Sequence, residues 1–241
     1  MYENRDSTFG TLLLNDEKLQ DPTKVANAIN NFLIIIIEKL NTKQIEKGYA
    51  ISILKDLFPR NFSSIKIIPI TENEIKSLKH SLQQTKKKSS GYDEITSKIL
   101  KACASRISHP LRYIYNYSLY TGIIPDHLNI AVVKPLYKKR DKTSIKNYRP
   151  VSLLTVLSKV LKKAMHSRLS QHLHTNNILV IELYSFRKGT STEDAVFRLT
   201  DSVLKSINHK VNVGGIFCDL AKAFDCKNHE ILLAKLNFYG I

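Results

Sequence analysis

Apolar residues fall at helical spacing along several stretches of the chain and in continuous runs at two others. Asp21-Pro22 supplies a capping carboxylate and a first-turn proline, and Val25, Ile29, Phe32, Ile36 and Leu40 follow on one helical face. Residues 41–70 give no clear period and are interrupted by Pro59 and Pro69. Gly91-Tyr92-Asp93 marks a turn, a helix is predicted over 95–107, and Pro110 opens another that Gly122 closes ahead of Pro125. Tyr113, Tyr117 and Tyr120 share a face of that second helix; of base stacking and core packing, packing is the expectation. Residues 130–137 read as a strand whose Pro135 limits central pairing. Ser152 is the expected cap of a helix with the stripe Val156, Val160, Leu161, Met165, Leu169 and Leu173. Ser191-Thr192-Glu193-Asp194 has capping-box form, and Val196, Leu199, Val203 and Ile207 continue it as an amphipathic helix. A strand over 213–220 and a last helix over 230–238 complete the pattern, which has no internal repeat.

Charge changes this picture more than composition does. The 241 residues are 43% hydrophobic and 24% charged, enough for one large domain or two small ones with a real core. The formal net charge is +16 and is uneven. Residues 131–170 hold eleven cations (Lys134, Lys138, Lys139, Arg140, Lys142, Lys146, Arg149, Lys159, Lys162, Lys163 and Arg168) against Asp141 alone, a net +10. Such a field attracts polyanions, because neutralised phosphates release condensed counterions. The run Lys86 to Lys88, in contrast, reads as a solvated surface.

Three cysteines without a Cys-x-x-Cys pair indicate neither a disulfide framework nor a zinc knuckle, which fits a reducing, intracellular compartment, cytoplasm or nucleus. The start Met1-Tyr2-Glu3-Asn4-Arg5-Asp6 is unlike a secretion signal. The apolar run 32–37 is far below the ~20 residues that span a bilayer, so no membrane partner is expected.

The candidate chemistry lies where the apolar run 213–218 ends in Asp219. A strand that delivers a carboxylate at its tip presents it to a metal-bound phosphate, whereas a solvated loop aspartate does not normally follow so apolar a run. Together with Ser90-Gly91-Tyr92-Asp93, Asn147-Tyr148-Arg149-Pro150-Val151-Ser152-Leu153-Leu154, Ser158-Lys159-Val160-Leu161 and Phe186-Arg187-Lys188-Gly189-Thr190-Ser191-Thr192, the segment Phe217-Cys218-Asp219-Leu220-Ala221-Lys222-Ala223-Phe224-Asp225 forms five collinear motifs. In that order they resemble the reverse transcriptases of non-LTR, LINE-like retrotransposons of the jockey type.

The resemblance implies an α/β (α+β) fold, a helix-rich right-hand polymerase with fingers and an incomplete antiparallel palm sheet. It divides the chain into a helical linker region, 1–70, and fingers with the start of the palm, 71–241. It implies nucleotidyl transfer with two Mg2+ ions, an RNA template, a DNA primer and deoxynucleoside triphosphates, and it gives no sign of an obligate protein partner. Asp219 matches the first metal-binding aspartate. Leu220 and Ala221 would lie by the triphosphate and Ala223 by the incoming sugar. For Phe224, a sugar-facing role and a core role stay open. Arg149 matches a fingers arginine that grips the triphosphate, with Lys138 as its companion, and Lys134, Lys139, Arg140, Lys142 and Lys146 are the candidate nucleic-acid contacts. Asp225 is expected to cap the last helix, and His229 to be structural.

The sequence departs from the family in having no Tyr-Ala-Asp-Asp tetrapeptide, and in Leu183, Ser185, Arg140, Lys162 and Lys227. A lone Asp219 offers few ligands to an ion that demands octahedral oxygen geometry, so Mg2+ is expected to be weak or absent in this chain alone. The expectation is therefore a polymerase fragment that is inactive by itself. The alternatives are a non-catalytic nucleic-acid-binding remnant and an unstable fragment with an exposed sheet edge.

Overall fold

A computed structural model describes residues 11–14, 17–40, 47–81, 90–138, 141–219 and 228–241. Among the described residues the chain is helix-rich with two small antiparallel sheets, in keeping with the expected α+β class. It forms two units, one of residues 1–44 and 66–168, the other of residues 45–65 and 169–241. Among the described residues, no helix is long and apolar enough to cross a membrane.

In the first unit a short hairpin, β1 (Leu12–Leu14) and β2 (Glu17–Leu19), precedes α1 (Pro22–Leu40). Asp21 caps α1 as expected, its Oδ1 accepting from the Lys24 amide at 2.8 Å. The α1 stripe enters the interior where Val25 and Ile29 join Leu12 and Ile145 in a small core. A larger core gathers Ile70, Ile75, Leu100, Leu111, Tyr115, Leu128, Val156, Val160, Leu161 and Ala164. These come mainly from α3 (Glu72–Ser81), α4 (Ser97–Ala102), α5 (Ala104–Thr121), α6 (Asp126–Asn129) and α7 (Val156–Thr175). The second sheet pairs β3 (Ala131–Tyr137) with β4 (Tyr148–Leu154).

Three boundaries differ from the periodic reading, each for a local reason. The helix predicted over 95–107 is broken at Cys103, and α5 runs straight through Pro110. Its buried residues, Ala104, Ser108, Leu111, Tyr115 and Ser118, recur at 4-3-4-3 spacing on both sides of the proline. Pro110 itself is exposed, so the hydrogen bond it removes faces solvent. Gly122 does end the helix, at φ 72°. The cap of α7 is not Ser152, which pairs with Val133 in the sheet, but Thr155, whose Oγ1 accepts from the Ser158 amide at 3.1 Å.

Polar side chains pin the loops to these helices. Asn116 donates to the Ile70 carbonyl at 2.9 Å and accepts from its amide at 2.7 Å, which fixes the segment entering α3. Arg168 makes a two-pronged bond to Glu74, Nη1 to Oε1 at 2.7 Å and Nη2 to Oε2 at 2.9 Å, and its Nε donates to the Ile68 carbonyl at 2.6 Å. Gly91 abuts the start of α7, where an added Cβ would lie 2.6 Å from the Thr155 backbone.

The second unit packs α2 (Lys47–Leu57) against α9 (His229–Phe238). Phe58, Phe62, Phe238 and Tyr239 meet edge to face, with ring centres 5.3 to 5.9 Å apart. The buried His172 donates from Nε2 to the Tyr239 carbonyl at 2.7 Å. The predicted capping box forms at α8 (Thr192–Asn208), Ser191 and Asp194 each bonding the other's backbone amide. No residue of α8 is buried, however, and Val196, Leu199 and Ile207 are exposed. Asn228 caps α9, accepting from the Glu230 and Ile231 amides, in the role expected of Asp225, which lies outside the described residues.

The first unit yields three predictions. Arg168→Ala should lower unfolding stability by about 3 kcal/mol, the low end for breaking a buried pair, since Glu74 keeps 26% of its side chain exposed. The Arg168 hydrogen bond holds the Glu74 carboxyl below its ordinary 4.5. A depressed folded pKa gives stability that is complete above the unfolded value and lost as pH falls through the folded one. Urea titrations of wild type should therefore weaken below about pH 4.5 more steeply than those of Arg168→Ala. Gly91→Ala, which forces the Thr155 backbone to move, should cost about 1–3 kcal/mol in the same titration.

Candidate nucleic-acid interface

Strand alternation sorts the cations of the basic stretch. In the β3–β4 ribbon Lys134 pairs with Val151, Leu136 with Arg149 and Tyr137 with Tyr148. Cross-strand partners share a face and successive residues alternate, so Lys134, Leu136 and Arg149 lie on one side. The ladder continues one step through the Lys138 amide, which donates to the Asn147 carbonyl at 2.9 Å and brings Lys138 to that same side. Lys134, Lys138 and Arg149 are all exposed. On the other side Tyr137 and Tyr148 pack ring against ring at 5.8 Å, and Tyr148 joins the smaller core. The ribbon thus has a seated aromatic face and an open cationic one.

The loop beyond the ribbon is tied down by its own polar groups. Asp141 accepts from the Thr143 amide at 2.9 Å and from its hydroxyl at 2.5 Å, bonds that hold the carboxyl below its usual range. Asn147 donates to the Asp141 carbonyl at 2.8 Å and the Tyr148 hydroxyl to the Lys142 carbonyl at 2.7 Å. The Thr143 carbonyl accepts from the Leu13 amide at 2.8 Å. The sole carboxylate of the basic stretch is therefore engaged with Thr143. Lys142 stands over the Tyr137 ring at 5.7 Å and Lys146 is exposed, while Lys139 and Arg140 lie outside the described residues. Arg168 belongs to the Glu74 pair, which removes it from the open cationic surface.

Asp219 sits in the second unit and is exposed at the end of residues 211–219, which are in neither helix nor strand. The strand predicted over 213–220 does not form there: a strand needs a ladder partner, and Ile216 and Phe217 are 92% and 87% exposed. Leu220, Ala221, Ala223 and Phe224 lie outside the described residues. Among the described residues no three of His, Cys, Asp and Glu gather into a metal-holding group. One exposed carboxylate does not fit the octahedral oxygen shell of Mg2+, so the described donor set does not amount to the metal centre that the resemblance implies.

The Phe186-to-Thr192 motif builds something the sequence reading left without a role. Thr190 donates from its hydroxyl to the Tyr184 carbonyl at 2.8 Å and the Arg187 carbonyl at 3.0 Å, closing a turn in which Phe186 and Gly189 have φ of 60° and 82°. Beside it lies a cavity of about 400 Å³ lined by His174, Tyr184, Arg187, Lys188, Phe197 and Arg198 among others. The motif itself flagged Arg187 and Lys188. His174 and Arg198 come from helices on either side, and no spacing in the sequence links them.

Fold and site define a helix-rich α+β protein whose open ribbon face is cationic. Residues 137–241 match the family model described as reverse transcriptase (RNA-dependent DNA polymerase), and the chain belongs to that family. It is 32% identical over 185 residues to the probable RNA-directed DNA polymerase from transposon BS of Drosophila melanogaster, a match covering 74% of this chain and 20% of that relative. It is 26% identical over 173 residues to the RNA-directed DNA polymerase from mobile element jockey of the same species, covering 71% and 19%. To the Pol polyprotein from type-1 retrotransposable element R1 of Bradysia coprophila it is 30% identical over 153 residues, covering 63% and 15%. The chain thus spans about a fifth or less of the length of these relatives.

Proposed function

We propose that this chain is part of an RNA-directed DNA polymerase of a non-LTR retrotransposon, and that its own contribution is to hold the sugar-phosphate backbone and the incoming triphosphate. The observation that carries this reading is the cationic ribbon face, where Lys134, Lys138 and Arg149 stand together in the open. A rigid two-stranded support keeps three donors aligned without a metal, and Arg149 can engage a phosphate through two parallel N–H bonds. Lys142 and Lys146 extend the field along the tethered loop.

In this proposal residues 1–70 are a helical region upstream of the polymerase region 71–241, and the partners are RNA template, DNA primer and deoxynucleoside triphosphates. Asp219 is the catalytic carboxylate of the palm motif. The proposed setting is intracellular, cytoplasm or nucleus, which the exposed free thiols of Cys103 and Cys218 support. The second reading, nucleic-acid binding without catalysis, is favoured by the same ribbon, because phosphate contact there needs no metal.

Two experiments test these statements. Neutralising Lys134, Lys138 and Arg149 together should weaken binding of single-stranded RNA and lower the slope of log K against log[salt] by about 2, given roughly 0.7 per phosphate contact. An unchanged slope would remove the ribbon from the interface. In primer extension on an RNA template with magnesium, these 241 residues alone should give no product. Robust extension abolished by Asp219→Ala would instead show that they form a complete catalytic centre.

A further inference from the structure

The three tyrosines expected in the core lie on the opposite side of α5. Tyr113 is 69%, Tyr117 56% and Tyr120 91% exposed, while the buried tyrosine is Tyr115, whose hydroxyl donates to the Leu157 carbonyl at 2.9 Å. At about 100° per residue, Tyr113, Tyr117, Tyr120 and the exposed Arg106 fall within an arc of roughly 60°. That arc is diametrically opposed to the stripe of Ala104, Ser108, Leu111, Tyr115 and Ser118. The row extends about 21 Å along the helix at about 1.5 Å per residue. The rings of Tyr113 and Tyr117 are nearly parallel, at 17°, with centroids 6.4 Å apart.

We propose that this face of α5 is a stacking platform for the bases of a single-stranded nucleic acid, separate from the phosphate contacts of the β3–β4 ribbon. Charge selects this occupant. Across α4 and α5 the sequence has Lys98, Lys101, Arg106 and Arg112 and no aspartate or glutamate. Glu72, on α3, is committed to His109 at 2.9 Å and lies 3.7 Å from Arg112. A cationic helix with a ladder of exposed rings has the two elements by which single strands are held, backbone attraction and sequence-tolerant stacking on aromatic faces. Tyrosine suits this better than leucine, since it offers a flat π-face while its hydroxyl remains in water. With their planes only 17° apart, the rings of Tyr113 and Tyr117 offer similarly oriented flat faces to successive bases of one strand. A duplex, with its bases already stacked and paired, has no free face to offer.

The test measures binding of the full chain to a labelled single-stranded RNA of about a dozen nucleotides by fluorescence anisotropy, within the site sizes of such platforms. Tyr113→Ala, Tyr117→Ala and Tyr120→Ala should each weaken binding by at least about five-fold, while the corresponding Phe variants, which keep the ring, bind like wild type. Because no charge is removed, the salt slope should stay that of wild type, unlike the slope of the ribbon variants. Circular dichroism should show unchanged helix content, since all three side chains are exposed. Wild-type affinity in the triple alanine variant would overturn the proposal and leave the face to a protein contact. Phe variants as weak as the Ala variants would overturn it as well, because the hydroxyl and not the ring would then be the contact. Neither readout depends on polymerase activity, so this proposal and the catalytic one fail independently.

Discussion

The guanidinium of Arg168 reaches from α7 to the carboxylate of Glu74 on α3, and the same planar group bonds the carbonyls of Ile68, Pro69 and Ala164. Its side chain is only 9% exposed, so desolvating the charge is costly unless nearly every N–H finds an acceptor. Here the fork geometry supplies them, which a lysine at this position would not. The pair ties the segment that enters α3 to the helix that follows β4, and Asn116 secures the same segment to α5 through Ile70. The larger core closes around these ties. The ribbon is joined directly to it, since β4 leads into α7 through Thr155 alone.

That continuity explains how one part of the chain can be both buried and strongly basic. Tyr148 enters the smaller core from the face of β4 opposite Arg149, so packing one side of the ribbon leaves the cations on the other. The loop carries its only acidic group in a closed Asp141–Thr143 bond, which keeps that carboxylate from neutralising its neighbours at short range. The cationic field is consequently smaller than the sequence count of charges, because Arg168 is internal, but it is better ordered. In the second unit burial is uneven among the described residues. The aromatic cluster at α9 is packed, whereas α8 and residues 211–219 keep Val196, Phe197, Ile216 and Phe217 in solvent.

Much of this was legible where a local rule decides the outcome. The Asp21 cap, the Gly122 stop, the Ser191–Asp194 box and the strand ending at Tyr137 depend on residues within a few positions of one another, and all formed as read. The family was legible because five motifs in fixed order carry far more information than any one of them. Less was legible about α2 and β4, whose stability comes from partners distant in sequence, and about the β1–β2 hairpin, whose strands are only three residues each. Of the candidate site, residue types and order could be read, but not that Lys134, Lys138 and Arg149 share a face. That follows from a register set across the loop, and a slip of one residue would have reversed it.

The sequence by itself determined the helix punctuation, the excess of positive charge and membership of the reverse transcriptase family, because each is fixed by short-range chemistry or by motif order. Tertiary structure alone decided which stripe of α5 is inside. Two stripes with helical period lie on that helix, one of tyrosines and one of Ala104, Ser108, Leu111, Tyr115 and Ser118, and the sequence pattern was read with the tyrosine stripe inside. The close approach of α3, α4 and α7 admits small residues beside Leu111 and Tyr115, whereas three further tyrosines would overfill the same space. Packing volume, which no local pattern encodes, therefore turned the tyrosine face outward.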